Sequence, residues 1–150
     1  MSLWCKWLKS EAGTSAIELA LISPIVVIMA VSAIDLGRLA LAKTWTQYAA
    51  AAGAQYAVTH GFDSQSISSV VQGASSSRSV SANPSPSQYC GCPGATGIQS
   101  MPCTADCPDV GSKAGTYVVV TANYPYRAIF RPPLISYPEN ISSQITVRIK

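Results

Sequence analysis

Residues 16–34 read AIELALISPIVVIMAVSAI, an apolar run interrupted only by Glu18, Pro24 and the small polar Ser23 and Ser32. As a helix rising ~1.5 Å per residue it covers roughly 28 Å, close to the ~30 Å hydrocarbon core of a bilayer. The rest of the composition agrees with membrane attachment. Charged residues make up 11% of the chain, against about 25% in ordinary soluble domains, and apolar residues reach 48%. A net charge of +3 spread over 150 residues is too small and scattered for a nucleic-acid footprint. One histidine in the whole chain argues against His-based catalysis and His-rich metal centres. The length suits one domain plus an appendage.

Lys6 and Lys9 precede the run and Arg38 and Lys43 follow it, so the positive-inside bias alone orients it weakly. Cysteine placement orients it better. Cys90, Cys92, Cys103 and Cys107 sit in a Gly/Pro/Ser-rich stretch, as expected of exported disulfide loops. The expectation is a cytoplasmic N-terminus with the bulk of the chain exported. Helix-compatible sequence continues beyond the run through residues 35–58, with no proline and only isolated glycines. A helix over 14–58 would be roughly 67 Å long, more than twice the membrane thickness. Its outer half carries Ala49, Ala50, Gly53, Ala54 and Ala57 at helical spacing. Small side chains let another element approach the backbone closely. That face either covers the protein's own domain or packs as a stalk in a helical assembly.

After Gly61 the pattern changes. Ile67, Val70, Val71 and Ala74 fall at amphipathic spacing, with Asp63 or Ser64 as N-cap, predicting a short second helix over 64–75. Residues 75–87 read as a Ser/Pro linker, and the cysteine segment that follows reads as a loop. Residues 117–126 (YVVVTANYPY) are β-rich, and Arg131-Pro132-Pro133 marks a turn. In the tail, Ile141, Ile145, Val147 and Ile149 alternate with polar residues, as in a half-buried strand. The fold expected is α+β: a long N-terminal transmembrane helix, a short second helix, and a small antiparallel β-sheet packed on the outer half of the long helix. The corresponding divisions are a leader at 1–13, a transmembrane helix at 14–35, its exported continuation at 36–58, and an exported disulfide-bonded α+β domain at 59–150.

A carboxylate inside an apolar segment costs about 2.5–3.5 kcal/mol on insertion scales, and Glu18 has no cation at i±3 or i±4. Cleavage after Gly13 would create one, because the new α-amino group of Thr14 is positively charged at neutral pH. In a helical assembly Glu18 could accept the N-terminus of a neighbouring subunit and fix the axial register. The bland alternative is a Glu18 that snorkels to the headgroups.

Gly13-x4-Glu18 before an apolar helix resembles the processing site of type IV pilin-like proteins. The run GTSAIELALISPIVVIMAVSAIDLGRLALAKTWTQYAAAAGAQYA resembles the TadE-like pseudopilins of the tight-adherence (Tad, Flp-type) pilus system. The matching elements are Gly13, Glu18, Pro24, the block from Asp35 through Gly37 to Arg38, and the Ala/Gly run that ends at Ala57. Leu19 stands where these proteins usually have an aromatic residue, and Asp35 where Glu is commoner. The resemblance implies a pilin-like fold and a non-enzymatic role with no cofactor: a pseudopilin or minor pilin supporting adhesive pilus assembly. It implies Gly13 and Thr14 as the bond cut by a prepilin peptidase, Glu18 as the register contact, and Gly37, Ala49, Gly53 and Ala57 as helix-packing positions. Pro24 removes one backbone hydrogen bond and is expected to kink the helix. The implied partners are the peptidase, other pilins or pseudopilins, the inner-membrane assembly platform and the lipid bilayer, with no nucleic acid. The implied location is the inner membrane, single-pass, with the C-terminal domain periplasmic and entry into an extracellular pilus open.

Two other readings of the N-terminus compete. An uncleaved single-span anchor for a periplasmic module needs no special use of Gly13 or Glu18. A secretory signal peptide cut after Val31-Ser32-Ala33 would need a shorter apolar core than this one. For the cysteines, zinc sites favour gaps of two to four residues within each ligand pair. Cys90-Gly91-Cys92 has a gap of one, so disulfides are expected and no metal. A bridge within that pair would close a small strained ring, so each member is expected to join one of Cys103 and Cys107. The nested pairing Cys90–Cys107 with Cys92–Cys103 suits two antiparallel segments, and the crossed pairing is the alternative. His60 reads as a surface residue, and Cys5 as a reduced thiol in the leader.

Overall fold

The computed structural model describes residues 12–75, 79–95, 97–108, 111–130 and 136–150. Helix α1 (Ala12–His60) runs without interruption and contains Pro24. Through its first half Ile17, Leu19, Leu21, Ile22, Ile25, Val26, Val27, Ile28 and Met29 are each exposed by half or more. No described part of the domain covers them, an exposure that suits a helix facing lipid. The helix is long and apolar enough to cross a membrane. It ends at Gly61, whose φ of 86° lets its amide close back on the Ala57 carbonyl at 3.0 Å. Helix α2 (Ser64–Ala74) follows with Asp63 as N-cap, the Asp63 carboxylate accepting the Gln65 amide at 3.1 Å. Its Ile67 and Val71 are buried.

The sheet is built around β4 (Gly115–Pro125). Along one edge of β4 runs β5 (Asn140–Arg148), in register from Tyr117 opposite Arg148 to Pro125 opposite Asn140. Along the other edge lie β1 (Ser81–Ala82) and β2 (Ser87–Gly94), end to end. A tight hairpin then adds β3 (Gly97–Ser100) outside β2, with Gly94 opposite Gly97. Every pairing is antiparallel. Between β1 and β2 the Asn83–Pro84 peptide is cis.

Side chains alternate along a strand, and Val118, Val120 and Ala122 of β4 are fully buried on one face. They join Ile67 and Val71 of α2 and Ala49, Ala50, Ala54 and Ala57 of α1 in one core cluster. Gly53 marks the closest approach. A methyl group there would lie 2.6 Å from Val71 Cγ2 and 3.0 Å from Val120 Cγ1. The small residues of α1 are therefore spent on the protein's own sheet and second helix. A second, smaller cluster of Ala42, Tyr126 and Ile141 lies nearer the apolar run. Through β5 and the two residues after it, burial alternates from Ile141 to Lys150, as the alternation of apolar residues in the tail predicts.

Two expectations need correction. The cysteine segment is not simply a loop, because Cys90 and Cys92 lie on β2, with β3 hydrogen-bonded beside it. The disulfides are Cys90–Cys103 and Cys92–Cys107, the crossed arrangement and not the nested one. A turn supplies the reason. After β3 the chain passes Cys90, the Met101 amide donating to the Cys90 carbonyl at 2.9 Å. It then reverses where the Ala105 amide donates to the Pro102 carbonyl at 2.9 Å. Residues 103–107 thus run back toward Cys92 in the same sense as β2. The leader residues 1–11 and the turn at Arg131-Pro132-Pro133 lie outside the described residues.

Candidate functional site

The most strongly constructed polar site is where the apolar run ends. Asp35 follows the last residue of that run, and its side chain is 0% exposed. A buried carboxylate needs hydrogen-bond donors, and the segment after β4 supplies them. The Ile129 amide donates to both carboxylate oxygens at 3.0 and 3.1 Å, and the Phe130 amide donates to Oδ2 at 2.9 Å. Arg38, one turn along the helix, adds its guanidinium at 3.4 Å. The Asp35 backbone carbonyl in turn accepts the Tyr126 hydroxyl at 2.9 Å. Arg38 also donates to the Arg127 carbonyl at 3.4 Å, and its guanidinium carbon lies 5.9 Å from the Tyr126 ring centre. The result is a clamp binding residues 126–130 to the helix at the level of Asp35. Burial pushes the Tyr126 phenol above its ordinary value, and the Asp35 charge adds to that effect.

The clamp's two sides lie 89 to 95 residues apart in sequence, so no local pattern announces them. One sequence argument could have found Asp35: the one applied to Glu18, that a carboxylate bordering an apolar run needs a donor. Beside the clamp, Pro125, Tyr126, Arg127, Ala128, Glu139 and Asn140 line an open groove of about 500 Å³.

The positions singled out from sequence fall in several places. Gly13 and Thr14 lie on the first turn of α1. Glu18 is exposed among exposed apolar residues and makes no ion pair with any described residue. Ala49, Gly53 and Ala57 are packed inside the domain. Gly37 is exposed, and a methyl group placed there would meet no described atom beyond its own stretch of helix within 4 Å. Its face of α1 continues through exposed Leu41, Tyr48 and Val58. His60 is exposed and stacks on Tyr56, ring centres 4.4 Å apart. The four cysteines are paired. Among the described residues, no group of three or more His, Cys, Asp or Glu is placed to hold a metal ion.

A long helix whose N-terminal half is apolar enough to cross a membrane, with a short helix and a small antiparallel sheet packed on its other half, defines an α+β protein. Residues 13–55 match the family model described as TadE-like protein. The match lies wholly within α1. No curated protein and no solved structure matches the chain.

Proposed function

We propose that this protein is a non-enzymatic pseudopilin or minor pilin that supports assembly of an adhesive Tad/Flp-type pilus. The observation that carries the reading is the TadE-like match over residues 13–55, beginning at the glycine that would end a leader. In this reading a prepilin peptidase removes residues 1–13 at the inner membrane and leaves Thr14 as the new N-terminus. The domain that follows the span is periplasmic, and the assembly platform and other pilins or pseudopilins are its partners. Glu18, which makes no ion pair with any described residue, accepts the α-amino group of a neighbouring subunit and sets the axial register. The exposed face of α1 that includes Gly37 is left free for helix packing between subunits, while Ala49, Gly53 and Ala57 hold the domain on its stalk.

Co-expression with the cognate peptidase, followed by intact-mass measurement, tests this. The expected product has lost residues 1–13, and a large residue at position 13 blocks the loss. A mature chain that keeps Met1 beside an active peptidase would identify a plain anchor. One starting at Ile34 would identify a cleaved signal peptide. Glu18→Ala is expected to insert normally, since removing a charge favours insertion, and to impair piliation.

A further inference from the structure

We propose that residues 126–130 form a second membrane contact. Ile129 and Phe130 enter the headgroup–acyl boundary of the bilayer crossed by residues 16–34, Arg38 and Arg127 meet the lipid phosphates, and Asp35 holds the loop at that depth.

Four observations carry this. First, outside α1 the exposed large apolar residues among those described are Ile98, Ile129 and Phe130, the last two at 63% and 37%. These two are adjacent in sequence and are bonded to Asp35, the residue that follows the apolar run. Second, their amides lie within 3.1 Å of the Asp35 carboxylate, so the loop backbone cannot rise away from that level. Helical side chains tilt toward the N-terminus, so the carboxylate draws the loop toward the span and toward exposed Ile34. The apolar surface of the span therefore continues onto the loop. Third, backbone amides entering lipid must be satisfied within the protein, and the amides of Ile129 and Phe130 already are. Fourth, the cations are suitably placed. Arg127 is exposed, Arg38 is 44% exposed at its side chain, and the two are joined at the loop. Arginine at such a boundary keeps its stem in apolar surroundings and its head among phosphates.

The proposal rests on residues 16–34 crossing a bilayer, and the test separates the two claims. In the full chain with Cys5→Ser, single substitutions Val27→Cys, Ile129→Cys and Gln65→Cys each carry an environment-sensitive fluorophore. The protein is reconstituted in phosphatidylcholine–phosphatidylglycerol vesicles, and depth is read by quenching with nitroxide-labelled lipids. The expected result is a deep probe at Val27, a probe at Ile129 within about 10 Å of the headgroups, and an unquenched probe at Gln65 on α2. An unquenched probe at Ile129 beside a quenched Val27 would overturn the membrane contact and leave the span standing. Unquenched probes at both positions would overturn both. Asp35→Ala should abolish quenching at Ile129 without changing it at Val27, and unchanged quenching at Ile129 would remove Asp35 as the clamp. Quenching at Ile129 should be stronger with phosphatidylglycerol than in phosphatidylcholine alone. Equal quenching would overturn the role given to the two arginines.

Discussion

Replacing Gly53 with alanine sets two opposing effects against each other, and the structure decides which wins. In a helix interior alanine is favoured over glycine by about 1 kcal/mol. Against that, the added methyl would lie 2.6 Å from Val71 Cγ2, 3.0 Å from Val120 Cγ1 and 3.3 Å from Ile67 Cγ2. Comfortable carbon contacts are about 3.5–4.0 Å, so nearly 1 Å must be found at Val71 and about half that at Val120. All three neighbours are fully buried, and branching at Cβ leaves them few other rotamers. The overpacking cost should lie in the upper part of its range of about 1–3 kcal/mol. The net effect is then a loss of about 1–2 kcal/mol, or roughly 5–10 °C in Tm for a domain of this size. Thermal melting of the detergent-solubilised chain should be followed by near-UV circular dichroism. Far-UV signal is dominated by α1, whereas the near-UV signal includes Trp45 packed edge-on to Tyr124 with ring centres 6.4 Å apart. Adding Val71→Ala should recover part of the loss, because the new methyl at position 53 then occupies vacated space. That coupling is expected at about 0.5–3 kcal/mol. A rise in Tm with Gly53→Ala, or strict additivity in the double variant, would refute the reasoning.

Gly91→Ala places a methyl 2.6 Å from the backbone oxygen of Gln99, an atom that cannot swing away. It should displace β3 and lower the yield of correctly paired disulfides, as judged by non-reducing peptide maps. Each disulfide closes a short loop, with separations of 13 and 15 residues, and losing either should cost roughly 3 kcal/mol by chain entropy. Cys92→Ser with Cys107→Ser should therefore lower Tm while leaving a Cys90–Cys103 peptide in the digest. At the start of α2, the Ser66 hydroxyl and then the Gln65 amide hold the Asp63 carboxyl below its ordinary value of 3.8. A depressed carboxyl stabilises the fold above its unfolded value, and the contribution is lost as pH falls through the folded one. Amide exchange in the first turn of α2 should therefore speed up below about pH 4 relative to the rest of the helix, and Asp63→Ala should abolish that difference.

The elements with strong periodicity are legible from the chain itself. The apolar run, the amphipathic spacing of Ile67, Val70, Val71 and Ala74, and the alternation from Ile141 onward each report a local constraint. The cysteine segment reads as a loop because SQYCGCPG has weak strand character. It pairs only because the β-rich stretch in β4 offers it an edge and the disulfides hold it there. Their connectivity depends on a turn at residues 102–105, set by tertiary context. The alanine face admits two uses, and only the positions of α2 and β4 show that the domain itself occupies it. Asp35 is legible as a carboxylate bordering an apolar run that needs donors, but which donors it finds depends on the segment after β4 that returns to it.

The clamp also removes any swivel between span and domain. Packing on α1 extends from Asp35 to Ala57, and the helix is unbroken from Ala12 to His60. The span therefore acts as a spindle, and any rotation about its axis is transmitted whole to the sheet. One residue inserted between Ile34 and Asp35 would turn the domain by about 100° relative to the apolar run. The azimuth of the domain is thus written in the length of the helix.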